Sequence, residues 1–424
     1  MMKAPHSHSY PLLSALLFFF FVTWSSSGSL LSIWLHQEVG LKAGDTGIIY
    51  AVLSVSALFA QVCYGFIQDK LGLRKHLLWY ITALLILSGP AYLLFGHLLK
   101  INVLLGSIFG GIYIGLTFNG GIGVLESYTE RVARQSQFEF GRARMWGSLG
   151  WAVATFFAGL LFNINPQLNF LVASCSGLVF FILLARLRVS SAPHAMQEAV
   201  SGGKVTLEDA LRLLTLPRFW ALVFFVIGTC IYGVYDQQFP VYFSSQFATL
   251  QEGNEMYGYL NSFQVFLESA MMGVVPIIMK KIGVRNSLLL GATVMFLRIG
   301  LCGVFHDPIS VSIVKLFHSI EVPLFCLPAF RYFTLHFDTK LSATLYMVGF
   351  QIASQVGQVI FSTPLGALHD AMGDRPTFFT ISAIVLAALV YGTFVIKKDD
   401  QEVGGDPFYT DKQLKAMEAS KANA

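Results

Sequence analysis

The phrase "KLGLRKHLLW" (Lys70–Trp79) returns as "KIGVRNSLLL" (Lys281–Leu290), 211 positions later in a chain of 424 residues. Each copy is a short basic loop with a glycine, leading straight into an apolar run. A repeat offset by almost half the chain implies a parallel duplication, the architecture in which two bundles enclose a site near the middle of a membrane. Outward from the two copies, apolar runs recur that are about as long as the ~20 residues a helix needs to cross a bilayer. Twelve are read: Pro11–Leu35, Thr46–Ile67, His76–Phe95, Val103–Tyr128, Trp146–Ile164, Phe170–Leu187, Phe219–Phe247, Tyr257–Met279, Ser287–Phe305, Ile309–Tyr332, Ser342–Leu368 and Thr377–Ile396. Alternating strand patterns are absent. The expected fold class is therefore an all-α integral membrane protein, its twelve transmembrane helices forming two pseudo-symmetric six-helix bundles.

Composition agrees. The chain is 55% hydrophobic and 12% charged, with mean hydropathy +0.63, where a soluble domain carries about 25% charged residues. The first apolar run follows one Lys and two His without a small-residue cleavage site, so it is expected to stay as a helix. The bundles are placed at 1–187 and 219–398, with a linker at 188–218 and a tail at 399–424. Within the linker, Thr206 and Asp209 have capping-box spacing and predict a short amphipathic helix.

Lys and Arg set the orientation. The loops "DKLGLRK" (Asp69–Lys75), "ERVARQSQFEFGRAR" (Glu130–Arg144) and "KKIGVR" (Lys280–Arg285), with Lys340 and Lys397–Lys398, fall on one side, and the opposite loops hold mainly Lys42, Lys100 and Arg375. The basic side is expected to be cytoplasmic, with both termini there. The net charge of +4 then reports topology and gives no reason to expect nucleic acid. The five cysteines are scattered without a CxxC, so core packing is their expected role. No phosphate-binding GxxxxGK[ST] loop is found, which leaves a gradient as the energy source. Gly106, Gly110, Gly111 and Gly115 fall at helical spacing and predict close helix packing.

A charge in the hydrocarbon core costs from about 2.5 to well over 10 kcal/mol, so each ionisable residue inside a span needs a partner, water or a task. The informative set is Glu126, Arg144, Asp236, Glu268, Arg298, Lys315, His318 and Glu321. Lys315, His318 and Glu321 recur every three residues and would share one helix face. Glu321, among Ile320, Val322 and Leu324, is the candidate proton carrier, with Arg298 either assisting proton release or forming a permanent salt bridge to it. Asp236 in "YDQQF" is the counter-ion expected for Lys315. His318 has three roles open: donor to substrate, proton relay, or hydrogen-bond partner of Glu268. In the first half, Glu126 and Arg144 stand near the ends of adjacent helices, and Trp151 lies two turns after Arg144. Carboxylate, guanidinium and indole together suit a sugar, the ions bonding hydroxyls and the ring covering the apolar sugar face. Asn119, seven residues before Glu126, is either a further amide in that site or a packing residue.

These residues carry a resemblance. "FEFGRARMWGSLGW" (Phe138–Trp151), "YDQQF" (Tyr235–Phe239), "GYLNSFQVFLES" (Gly258–Ser269) and "KLFHSIEVP" (Lys315–Pro323), with "DKLGLRK", resemble the oligosaccharide:proton symporters, the lactose permease branch of the major facilitator superfamily. The likeness covers almost the whole chain apart from the tails and the linker. It implies the major facilitator fold, a bacterial inner-membrane location, and cotransport of a disaccharide with a proton. Carried over by position, it implies that Glu126 and Arg144 bind sugar, Trp151 stacks on it, His318 couples sugar to proton, Glu321 holds the proton beside Arg298, and Asp236 and Lys315 form a structural charge pair. The second charge pair of lactose permease falls on Gly233 and Ser354, and its helix VIII carboxylate falls on Val265 while Glu268 follows three residues later. These departures, with "FVTWSSSGSLLSIWL" and "GFQIAS", are similar to the sucrose permeases of that family. The resulting expectation is sucrose import, with lactose, melibiose or raffinose as alternatives, through Glu126, Arg144, Trp151 and Asn119 with Gln264, Glu268 and His318. A proton-independent sugar facilitator is the rival. No catalysis and no cofactor beyond the coupling proton are expected, and a single chain encloses its own pathway as a monomer in the lipid bilayer.

Overall fold

The computed structural model describes residues 9–136, 138–189, 217–337 and 347–400, and among them all regular structure is helical. Six helical units precede the linker: α1 (Ser9–Val39), α2 (Ala43–Leu71), α3 (His76–Ile86 and Ser88–Ile101), α4 (Val103–Ser136), α5 (Phe140–Ile164) and α6 (Gln167–Arg186). Six follow it: α7 (Pro217–Thr229 and Tyr232–Ser244), α8 (Leu250–Ile282), α9 (Val284–Cys302), α10 (Pro308–Leu316 and His318–His336), α11 (Met347–Ile352 and Ala353–Met372) and α12 (Asp374–Val395). Ten of them are long and apolar enough to span a membrane, and the bent pair of α3 makes eleven. The remaining helix, α11, is more polar, with Gln355, Gln358, Ser362, His369 and Asp370, and much of that polarity lies against α2 or α7. The start expected for this span at Ser342, and the linker helix expected around Thr206–Asp209, lie outside the described residues.

Local chemistry explains the breaks. The 58° bend in α3 falls at Leu87, just before "SGP", where Pro90 can neither donate to the helix ladder nor avoid the preceding carbonyl. α10 breaks at Phe317, where the Phe317 and Ile320 N–H groups donate three residues back instead of four.

The opening repeat reappears in three dimensions. Gly72 ends α2 at φ 58° and Gly283 ends α8 at φ 86°, left-handed values that glycine adopts without strain. In each copy a basic residue two or three positions after the glycine then caps the last helix of its own half. Lys75 Nζ donates to the Leu184 and Leu187 carbonyls at the end of α6 (3.0 and 2.7 Å). Arg285 donates to the Thr393 and Ile396 carbonyls at the end of α12 (2.5 and 2.8 Å). Cations at helix C-termini satisfy orphan carbonyls and the dipole together. The predicted tail is not all loose, because Asp399 accepts from the backbone N–H groups of Val284 and Arg285.

The predicted glycine packing is present: a Cβ at Gly110 would stand 2.2 Å from the Phe95 ring, and one at Gly111 2.7 Å from Val52. The cysteines depart from expectation in one case. Cys230 and Cys302 are buried, but Cys175 is exposed, since α6 turns that face outward.

The halves meet most tightly at the end opposite the basic loops. A Cβ at Gly47 of α2 would lie 2.4 Å from the Ser362 carbonyl oxygen of α11, and one at Gly159 of α5 would lie 2.3 Å from that of Asn254 on α8. Polar clasps reinforce both contacts. Asp370 accepts from the N–H groups of Ala43 and Gly44 (2.9 and 2.8 Å), so a carboxylate of one half caps a helix of the other. Gln37 and Asn254 exchange two amide hydrogen bonds, and Asn163 donates to Gln251 and Glu255. Toward the basic loops the same helices loosen: a Cβ at Gly65 of α2, Gly141 of α5 or Gly273 of α8 would meet nothing within 4 Å.

Candidate functional site

Two clusters face each other across the interface of the halves. In the first, Glu126 projects from α4 nearly two turns past a π-helical stretch (Gly115–Gly120), and Arg144 projects from the start of α5. The Arg144 guanidinium donates from Nε to Glu126 and lies 4.4 Å over the ring of Phe21 on α1. Room for this comes from Gly147, where a Cβ would crowd both Phe21 (2.7 Å) and Arg144 (3.1 Å). The ion pair keeps a third of its surface exposed. Trp151 follows on α5, and its carbonyl accepts from Ser25 Oγ (3.0 Å). Its ring stands 6.4 Å from Phe21, so ion pair and indole share one wall as expected. Asn119 is different. It sits half-buried on the π-helical stretch, which breaks the seven-residue register, and it hydrogen-bonds to neither Glu126 nor Arg144.

The second cluster is a continuous charge network. Arg298 on α9 has no exposed surface and grips Glu321 with two prongs, Nε to Oε2 at 2.8 Å and Nη2 to Oε1 at 2.5 Å. Its third nitrogen faces Asp236 of α7 at 3.5 Å. Lys315 Nζ donates to Asp236 at 2.9 Å, the pair expected from the sequence. His318 stands between the two carboxylates, with Nδ1 2.8 Å from Glu321 and Nε2 3.7 Å from Asp236. Of the three roles open for this histidine, the bond to Glu268 is not formed; Gln264 donates to Glu268 instead, at 3.0 Å. Glu321 has Arg298 as the partner expected from the sequence and His318 as a second one.

The break at Phe317 bears on this arrangement. Lys315 ends one helical piece while His318 and Glu321 begin the next, so the three do not stand on one continuous α-helical face. They converge through Asp236 and Arg298, which reach in from α7 and α9. Glu268 lies within Coulombic range of His318, Lys315 and, across the interface, Arg144. Carboxylates, a guanidinium, an indole and an imidazole from the two halves therefore stand near one another across the interface.

Several contributors were not read from the sequence. Tyr235 lies 4.6 Å under the Arg298 guanidinium, Phe239 lies 4.9 Å from Lys315 Nζ, and Tyr232 lies 5.8 Å from His318. These are cation–π or ring contacts of a kind that hold charges away from water. The signal was the stripe Tyr232, Tyr235, Phe239 at helical spacing around Asp236. Trp24, edge to face with Trp151, was also missed. At the positions of the missing second charge pair, Gly233 packs against Gln358, and Gln237 donates to Ser362 and Gln358.

Comparison with known proteins places this geometry. Residues 2–404 match the model of the LacY proton/sugar symporter family. The chain is 41% identical over 397 residues to a sucrose permease of Escherichia coli, covering 93% of this chain and 95% of that one. It is 38% identical to a raffinose permease of Escherichia coli (89% and 90% covered) and 37% identical to a lactose permease of Citrobacter freundii (86% and 88%). Among solved structures, the nucleoside transporter NupG superposes with a TM-score of 0.73 at 14% identity (92% and 99% covered), and a D-xylose-proton symporter with 0.68 at 14% (92% and 98%). Those identities speak for the fold alone, which is that of the major facilitator transporters. With the family model matched from end to end of the described helices, and with relatives this similar over most of their length, the chain belongs to the LacY family of proton/sugar symporters.

Proposed function

We propose that the protein imports a disaccharide, sucrose in first place, together with a proton taken up at Glu321. Sugar is held by Glu126, Arg144 and Trp151 on one side and by Gln264, Glu268 and His318 on the other, and Asn119 is left to packing. The halves rock so that the site opens to each side in turn. The described state, clasped at α2–α11 and α5–α8, is the one open to the cytoplasm. The basic loops lie on that side, in a bacterial inner membrane, with both termini cytoplasmic. The monomer suffices, and the proton is the only coupling agent.

The observation that carries this reading is the placement of His318. It contacts the carboxylate assigned to the proton, and it shares an electrostatic neighbourhood with Glu268 in the sugar site. Protonation of Glu321 weakens its hold on Arg298 and His318, which changes what His318 presents to the sugar. The cations Arg144, Arg298 and Lys315 are paired within the protein, which suits a neutral, hydroxyl-rich substrate over an anion.

Sucrose is favoured by the sucrose permease likeness at 41%, and the raffinose and lactose permeases at 38% and 37% keep galactosides in play. The deciding experiment adds sucrose to de-energised, lightly buffered cells expressing the protein, with a pH electrode in the medium. Transient alkalinisation supports sucrose–proton symport. A response to lactose, melibiose or raffinose alone would replace the substrate and keep the mechanism, and sugar entry without any pH change would favour the facilitator. Glu321→Gln is expected to abolish uphill accumulation while sparing sugar exchange across the membrane; normal accumulation would remove Glu321 from the proton pathway.

A further inference from the structure

We propose that Trp24 determines specificity in the sugar site: its indole and that of Trp151 form a right-angled corner that grips both rings of a disaccharide. The inference deepens the function proposed above and rests on it. The two ring planes lie at 81° with centroids 5.5 Å apart. Trp24 is a fixed wall. One face lies parallel on Phe118 (8°, 5.9 Å), Phe118 is itself fully buried, and the rings of Phe20 and Phe21 stand 6.2 and 5.7 Å away.

Both indoles nevertheless remain partly exposed. Neither indole N–H has a hydrogen-bond partner among the described residues, and neither is among the sealed polar atoms that lack one. An indole N–H shut inside protein finds a partner as a rule, so these two donors open onto space a ligand can enter. That space adjoins the sugar-binding ions, because Phe21, which carries the Arg144 guanidinium 4.4 Å above its ring, touches both tryptophans.

A sugar ring has an apolar C–H face and a rim of hydroxyls. One flat indole serves one ring. Two indoles at a right angle match two rings joined by a bent glycosidic linkage, each wall covering one apolar face and offering one N–H to a hydroxyl. A monosaccharide fills half of such a corner and gains from only one wall.

The test measures affinity on the purified protein for the disaccharide that the wild type binds and for the methyl glycosides of its two rings. The proteins compared are wild type, Trp24→Phe, Trp24→Ala and Trp151→Phe, each shown by circular dichroism and thermal melting to be folded. Trp24→Phe loses the N–H and part of the ring, and is expected to weaken the disaccharide about three- to tenfold while leaving one methyl glycoside unchanged. Trp24→Ala is expected to exaggerate the same selective loss. Unchanged disaccharide affinity in both Trp24 variants would overturn the assignment. So would a loss for the disaccharide and for the same glycoside that Trp151→Phe weakens, since Trp24 would then only prop Trp151. Failure of the wild type to bind sucrose, raffinose, lactose or melibiose would instead overturn the sugar reading beneath it.

Discussion

Arg298 and Glu321 are both fully buried, and each is the other's main compensation. Replacing Arg298 by Met is expected to cost about 3–5 kcal/mol, because it strands a carboxylate without its partner; a thermal melt in detergent checks this, and a melt unchanged from wild type would mean that Glu321 has been neutralised. Arg298→Lys should lie between the two, since an ammonium keeps the charge but not the two-pronged grip. A similar argument applies to Asp236 and Lys315. Asp236→Ala strands the buried ammonium of Lys315, and Lys315→Ala takes the nearest cation from the half-buried Asp236, whereas the double variant removes both and should melt above either single variant. Much of this was legible in the sequence, because a charge inside an apolar run demands an opposite charge, and Asp236 and Lys315 were matched on that ground. The aromatic supports were not. In a chain with 14% aromatic residues, a Trp or Tyr within an apolar run gives no contrast that marks Trp24 or Tyr235 as special.

At the level of elements, closure depends on backbones that touch where α2 meets α11 and α5 meets α8. Gly47→Trp or Gly159→Trp must push those pairs apart, because even a Cβ would sit 2.3–2.4 Å from a facing carbonyl oxygen. The expected result is lost uptake with sugar binding retained. It can be measured as faster labelling, by a thiol reagent added from outside, of a cysteine introduced at Gln37. Asp370→Ala is a milder version: removing the borrowed cap of α2 should cost the clasped state about 0.5–2 kcal/mol and raise the same labelling rate several-fold. The helices themselves were readable, since runs near 20 residues and basic loops are strong signals. Their interruptions were less so. The bend at Leu87 has Pro90 as its cause, whereas no proline stands at the break at Phe317 or in the π-helical stretch before Glu126 to announce them in the sequence.

For the whole molecule, the duplication first seen in "KLGLRKHLLW" is structural in depth, since each half caps its own last helix with its own basic loop. Two polypeptides divided within 190–216 and made together are therefore expected to reassemble and restore sugar uptake, and failure of separately tagged halves to co-purify would argue against independent bundles. The balance of the network has an electrical consequence. Arg298 and Lys315 match Asp236 and Glu321 charge for charge, Arg144 matches Glu126, and Glu268 adds a carboxylate whose hydrogen-bond partner is the neutral Gln264. In the proposed cycle the sugar is neutral, so the form carrying sugar and a proton bears one positive charge more than the empty form. A membrane voltage then drives the cycle by one charge for each sugar moved. At about 2.3 kcal/mol per charge per 100 mV, with each 1.4 kcal/mol worth a factor of ten, voltage alone can sustain roughly fiftyfold accumulation of sugar per 100 mV, even when the two sides of the membrane are at the same pH.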